Sequence, residues 1–157
     1  MRAQIVKATI DDCRELADNL RVADREEVAA ATGLTPLEVL THSLGGEAYA
    51  ARDEEGTVLM FGTFPTETSG AALVWLLGTD RIVRKQREFL RRCQPVLDIL
   101  HRQYPLLYNY ADARNATHVR WLKWCGFRVL RELPNAGAGG VTFLEVVRFK
   151  RTECVPQ

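Results

Sequence analysis

Apolar positions change period several times along this chain, and each change marks an element boundary. Residues 4–10 alternate through Ile5 and Val6 and read as a strand. Cys13, Leu16, Ala17 and Leu20 then recur at helical spacing, predicting a helix from a cap at Asp11 or Asp12 to about Arg21. A second helix covers 24–31 and stops at Gly33, since glycine tolerates the positive φ of a helix end. Thr35-Pro36 opens a third over 36–43, with proline in the first turn and Gly45-Gly46 beyond its end.

The period then falls to two. Residues 47–52 and 57–64 are strands joined by a turn at 53–56, and 65–70 is a polar loop. Residues 71–77 are apolar enough that the strand is expected to be buried on both faces. A long amphipathic helix follows over 81–103, which Pro95 is expected to kink or split. A strand at 106–111, a helix at 115–125 ended by Gly126, and strands at 127–132 and 141–150 around a loop at 134–140 complete the chain. Antiparallel strands followed by β-α-β crossovers predict a mixed, twisted, mostly antiparallel α/β sheet of about seven strands flanked by helices.

The 157 residues, 46% hydrophobic and 26% charged, suit one domain over 1–157 and exclude a disordered tail or a disulfide-stapled mini-protein. No apolar run approaches the roughly 18 residues of a membrane span. The first residues carry no stretch of signal-peptide length, so a cytosol-like compartment is expected. Cys13, Cys93, Cys125 and Cys154 are scattered, as are His42, His101 and His118, so no metal site is expected and the cysteines read as buried or half-buried thiols. Charge is divided: 6 Lys/Arg face 13 Asp/Glu up to Gly78, and 15 face 7 beyond it, although the net charge is only +1. Two readings stand: the halves separate in space and steer association, or they interleave and cancel.

One motif connects this order of elements to a known fold. Asn115-Ala116-Thr117-His118-Val119-Arg120-Trp121-Leu122-Lys123-Trp124-Cys125-Gly126-Phe127 resembles the Asn-x-x-Ala-x-x-x-Tyr-x-x-x-Gly-Phe signature of the GNAT acyltransferases, with Asn115, Gly126 and Phe127 at matching spacing. Asn115 reads as a helix cap, Gly126 as the helix stop and Phe127 as the first core residue of the next strand. The segments Arg21-Val22-Ala23-Asp24-Arg25-Glu26-Glu27-Val28, Gly33-Leu34-Thr35-Pro36, Val74-Trp75-Leu76-Leu77-Gly78-Thr79-Asp80 and Tyr108-Asn109-Tyr110-Ala111-Asp112-Ala113-Arg114-Asn115 are similar to GNAT-like proteins of tailed bacteriophages. That group includes small internal core proteins of short-tailed phages. The resemblance implies a role in virion structure or assembly, other virion proteins as partners, and a place in the virion or, during assembly, the host cytoplasm.

The resemblance also says where acyl-transfer chemistry would sit. Coenzyme phosphates need free backbone N–H groups in an uncluttered loop at a helix start, normally Arg/Gln-x-x-Gly-x-Gly/Ala. The equivalent segment, with Gly78, Thr79, Asp80, Arg81, Arg84 and Lys85, has one glycine and sets a carboxylate where an anion would dock. Thr79 or Asp80 as an ordinary helix cap explains it. The tyrosine expected as general acid is Leu122, which has no proton to give, and Tyr108 and Tyr110 read as core aromatics. No Asp or Glu lies within 71–77 to act as base, and neither Ser43 nor Ser69 sits in a nucleophile motif.

No catalytic residue is therefore assigned, and no cofactor is expected. Arg81, Arg84, Lys85, Arg87, Arg91 and Arg92 form a basic helix side, and Trp121 and Trp124 share a helix face on which one is expected inward and the other near the rim. Trp121, Trp124, Arg84, Arg87 and Arg91 are the interface candidates. The leading reading is a GNAT-like scaffold binding other virion proteins. The alternatives are an acetyl-CoA-dependent N-acyltransferase acting on a protein or small amine, and a DNA-contacting component using the basic helix. A homo-oligomer is compatible with each.

Overall fold

The computed structural model describes residues 3–151; Cys154 lies outside them. Strand β1 (Gln4–Lys7) leads into α1 (Ile10–Asn19), α2 (Val22–Thr32) and α3 (Pro36–Ser43). Strands β2 (Glu47–Asp53), β3 (Gly56–Pro65) and β4 (Ala71–Gly78) follow, then α4 (Arg81–Arg84) and α5 (Gln86–Leu100). The chain closes with β5 (Leu106–Asp112), α6 (Ala116–Trp124), β6 (Arg128–Ala136) and β7 (Val141–Phe149). All seven strands form one sheet, ordered β1-β2-β3-β4-β5-β7-β6, in which only β4 and β5 are parallel.

Strand alternation sorts the core into two layers. Ala50, Met60 and Leu77 point to one face, where Cys13, Leu16, Ala17 and Leu20 of α1 and Leu40 of α3 cover them. Ala51, Leu59, Phe61 and Leu76 point to the other, against Phe89 and Leu90 of α5 and Trp121 of α6. Further along that face, Ala72, Leu107 and Val146 meet Leu97, Leu100, Cys125 and Phe127. The acidic first half thus supplies the helices α1 and α3 of one face, and the basic second half supplies α5 and α6 of the other.

Several local expectations are corrected. Helix α1 is capped by Thr9, whose hydroxyl accepts from the Asp12 N–H while Asp12 Oδ2 accepts from the Thr9 N–H at 2.8 Å; Asp12 is the third helical residue of a capping box, and Asp11 is not the cap. Neither Thr79 nor Asp80 was separable as a cap from sequence; the Asp80 side chain makes no capping bond, and Thr79 Oγ1 accepts from Arg81 N at 3.3 Å. The long helix breaks at Lys85, not Pro95, which lies on the exposed side of α5. Lys85 departs from helical backbone (φ −106, ψ 31) while its ammonium reaches Asp53 at 2.7 Å. Strand β4 is half-buried along its middle, Trp75 included, because its pairing on one side is incomplete. Strand β6 continues to Ala136 with two register shifts, so the loop before β7 is short.

Asp12 fastens α1 to the sheet. Arg52 grips both its carboxylate oxygens, at 2.7 and 2.6 Å, and Thr57 Oγ1 donates to it at 2.8 Å. Burial alone would raise this carboxyl, but Arg52, Thr9 and Thr57 together hold it well below the usual range. A group so lowered stabilises the fold above about pH 4 and loses that effect as pH falls further. Acid unfolding of the wild type should therefore begin below about pH 4, and Asp12→Asn should be less stable at neutral pH with a flatter acid limb. Denaturant midpoints measured across that range check this.

The β2–β3 pairing depends on Gly62. A Cβ there would stand 1.9 Å from the Glu47 carbonyl oxygen and 3.0 Å from its carbon, both backbone. Gly62→Ala should cost about 3 kcal/mol, lowering the thermal midpoint by about 6–12 °C in a domain of this size. Calorimetry of the two proteins measures it.

Candidate functional site: the crevice between the parallel strands

Ligands of open α/β sheets bind at the carboxyl ends of strands where the strand order switches. Here that place is the opening between β4 and β5. The two strands pair only over Ala71–Leu73 and Leu106–Tyr108, although β4 runs to Gly78 and β5 to Asp112. Beyond those residues each strand has an edge without its parallel neighbour.

The chain's own α2 entry borders this opening at the end of β4. The Gly78 N–H donates to Asp24 Oδ2 at 3.0 Å, and the Gly78 carbonyl accepts from Arg21 N at 2.9 Å. Leu20 and Thr79 form an isolated antiparallel bridge beside them. The entry of α2 is thereby joined to the end of β4. From α2, Arg21 Nη1 donates to Asp24 Oδ1 at 3.1 Å, and its guanidinium lies 5.0 Å from the Trp121 ring centroid. Trp121 in turn packs on Phe89, ring centroids 5.0 Å apart.

Asn115 completes the connection from the β5 side. Its Oδ1 accepts from His118 N to cap α6, and its Nδ2 donates to Asp24 Oδ1 at 3.3 Å and to Glu27 Oε2 at 2.8 Å. His118 Nδ1 faces the same Glu27 oxygen at 3.2 Å. Arg21, Asp24, Glu27, Asn115 and His118 are all buried, so each charge depends on these partners. Burial pushes the Asp24 carboxyl up, against the pull of Arg21 and the Gly78 N–H. Burial opposes charge on His118, but the hydrogen bond and charge of Glu27, with Asp24 behind it, hold its imidazole above the ordinary value. Arg21 and His118 thus face the carboxyl groups of Asp24 and Glu27 within one buried cluster.

The hairpin between β6 and β7 closes over the far end of α2. Gly139 N donates to Ala30 O at 2.8 Å, and a Cβ on Gly137 would lie 2.5 Å from that same carbonyl oxygen. Beneath α5 and α6 lies an apolar cavity of about 150 Å³, lined in part by Leu76, Phe89, Val96, Trp121 and Leu122.

The segment expected to cradle phosphate has other engagements. Thr79 N donates to Val58 O at 2.9 Å, Arg81 N to Thr79 Oγ1, and Ile82 N to Thr79 O at 3.1 Å. Arg81 lies 3.5 Å from both Asp53 and Glu55, and Lys85 pairs with Asp53. Arg84, Arg87 and Arg91 are exposed. Gly126, at φ +93, ends α6, and Phe127 behind it is buried in the core. Leu122, at the place of the expected tyrosine, is half-buried against that core. Tyr108 and Tyr110 meet edge to face at 5.8 Å, Tyr110 being 42% exposed. Among the described residues, no group of three His, Cys, Asp or Glu side chains is placed to hold a metal ion.

Sequence reasoning therefore found Asn115 but missed Arg21, Asp24, Glu27 and His118, which surround it. The available signal was the i, i+3, i+6 spacing of Arg21, Asp24 and Glu27, which sets all three along one side of α2.

Three measurements follow from this geometry. Asn115→Ala removes a cap and two donors to buried carboxylates, and should cost about 2–4 kcal/mol by denaturant titration. A raised His118 stabilises the fold below its ordinary value of 6.5 and loses that effect as pH rises through its folded value, so stability should fall on the alkaline side. Raised Asp24 acts in the same direction, and His118→Asn should flatten the profile above about pH 6.5. Trp121 is 5% exposed and Trp124 55%; Trp121→Ala should cost about 3–5 kcal/mol, while Trp124→Ala should change stability by no more than about 0.5 kcal/mol.

Comparison with known proteins gives this geometry a context. A GNAT-family acetyltransferase from Bacillus anthracis superposes with a TM-score of 0.70 at 10% identity, covering 96% of each chain. Aminoglycoside 6'-acetyltransferase type Ii gives 0.72 at 19% identity over 96% of this chain and 99% of that one. Ribosomal-protein-alanine N-acetyltransferase from Brucella melitensis gives 0.70 at 18% identity, covering 93% and 99%. At such identities the likeness is one of fold. No curated protein matches the chain in sequence. The family model described as "Bacteriophage T7, probable scaffold protein Gp13" matches residues 54–133, just over half of the chain. The chain is thus a phage protein with a GNAT fold, and it belongs to the family described as the bacteriophage T7 "probable scaffold protein Gp13".

Proposed function

We propose that this protein serves virion assembly by binding other virion proteins, using the GNAT fold as a rigid scaffold and transferring no acyl group. The family membership supports the assembly role. The observation that carries the finer reading is the engagement of Gly78: both backbone polar groups at the end of β4 are taken by α2, through Arg21 N and Asp24 Oδ2.

Acetyl-CoA is the cofactor that the fold implies, and the residues present do not fit it. Its pyrophosphate requires uncommitted N–H groups, whereas those of Gly78, Thr79, Arg81 and Ile82 donate within the chain. The β4 end of the opening between β4 and β5 is bordered by the buried Arg21 and Asp24, both bonded to Gly78. To free the Gly78 N–H for the coenzyme, α2 would have to withdraw and leave these charges unpaired, which costs several kcal/mol. Leu122 offers no proton at the expected position.

Calorimetric titration with acetyl-CoA should show no saturable binding in the micromolar range, and the protein should not consume acetyl-CoA with a panel of amines. Leu122→Tyr should not create turnover, because one hydroxyl does not position the donor. Turnover well above background by the wild type would establish the acyltransferase reading instead. Deleting the gene from its phage should yield particles with altered protein composition, measured by mass spectrometry of purified virions. Unaltered, fully infectious particles would defeat the assembly role.

A further inference from the structure

The two faces of the molecule carry complementary helical stripes. On α1, Asp11, Glu15 and Asp18 lie opposite the buried Asp12, Cys13, Leu16 and Ala17, and all three are exposed. Asp11 pairs only loosely, at 3.5 Å, with an exposed Arg14, and the Glu15 carboxylate lies against the β2–β3 turn, one oxygen accepting from Thr57 Oγ1 and the other beside Gly56. On the other face, Arg84, Arg87 and Arg91 are exposed along α4 and α5. Arg87 and Arg91 are one turn apart on α5, while Arg84 lies on α4, on the other side of the break at Lys85. Neighbouring cations are engaged elsewhere, Arg81 and Lys85 with Asp53 and Arg92 with Glu88, whereas these three have no carboxylate partner among the described residues.

The spacings match in one orientation. The acidic stripe steps by four and then three residues; the basic stripe, followed backwards from Arg91, does the same. Two antiparallel helices would therefore bring Asp11 to Arg91, Glu15 to Arg87 and Asp18 to Arg84, each stripe being about 10 Å long. Exposed apolar side chains flank both stripes: Ile10 and Val22 on the acidic side, Val83 on the basic side. Because α1 and α5 cover opposite faces of the sheet, the stripes of one copy cannot meet each other.

We propose that a second copy of this chain docks the Asp11, Glu15 and Asp18 stripe of its α1 antiparallel onto Arg84, Arg87 and Arg91, so that copies join head to tail. Such a contact is heterologous: each copy keeps one free face of each sign, and the series closes into a ring or extends. The charge balance favours this partner over nucleic acid, since the chain carries only +1 overall and displays the matching acidic face itself. This deepens the assembly reading, on which it rests, by naming one partner.

Sedimentation velocity of the full chain tests it. At about 50 mM salt the weight-average mass should rise with concentration above 17.7 kDa, and at about 500 mM it should return to that value. Asp11→Lys with Asp18→Lys, and separately Arg87→Glu with Arg91→Glu, should each give monomers with unchanged thermal midpoints. An equimolar mixture of the two variants should associate again, because each then supplies the sign that the other lacks. A monomeric wild type, variants that still associate, or a mixture that stays monomeric would overturn the proposal. So would a loss of duplex DNA binding by the arginine variant in a protein that never self-associates, which would mark the stripe as a nucleic-acid surface. The gene deletion separates the two readings: unaltered particles with intact self-association defeat the assembly role and leave the docking standing.

Discussion

A parallel pair of strands that separates before its end leaves backbone donors and acceptors without the neighbour that would normally satisfy them. In this protein the demand is met at Gly78, whose N–H and C=O are taken by Asp24 and Arg21. Much of the site's architecture follows from that. Once Asp24 is held at the end of β4, Arg21 is drawn over Trp121, and Asn115 donates to Asp24 and Glu27 of α2 while capping α6. A residue from the first helices, the end of β4 and the start of α6 are thereby joined across about ninety positions of sequence.

Buried charge makes this junction rigid and also conditional. Taking Arg21, Asp24, Glu27 and His118 out of water is tolerable only while each keeps its partner, so the crevice resists opening. Much of the acidity of the first half is absorbed in this way. Asp12 is held by Arg52, Asp53 by Lys85 and Arg81, Asp24 by Arg21, and Glu27 faces His118. The charge visible to a partner is therefore smaller than the count in the sequence and more ordered, reduced on α1 to a single outward stripe.

Features set within a few residues were legible in the chain. Helix α3 starts and stops where Thr35-Pro36 and Gly45 place it, and α2 ends at Gly33 with φ +70, because caps and left-handed glycines act locally. The same holds for Asn115, Gly126 and Phe127. Where two local signals competed, the outcome depended on distant residues. Asp12 was free to cap α1 until Arg52 and Thr57 fixed its carboxylate from the sheet, leaving Thr9 as the cap. The long helix could break at Pro95, but proline on an exposed side forfeits little, while Asp53 from the β2–β3 hairpin holds Lys85 at the actual break.

By itself the sequence determined the order and kind of the elements, the alternating faces of the strands, the end of α2, the start of α3, the cap of α6, and the division of charge between two halves. Each of these depends on side-chain period or on groups a few residues apart. Only the tertiary structure decided that α1 and α3 would cover one face of the sheet and α5 and α6 the other, that the acidic residues of α1 and the arginines of α4 and α5 would stay exposed, and that Arg21, Asp24 and Glu27 would meet Asn115 and His118. Those outcomes depend on where β4 and β5 part, and on the rule that a polar group removed from water must find its partner somewhere in the fold.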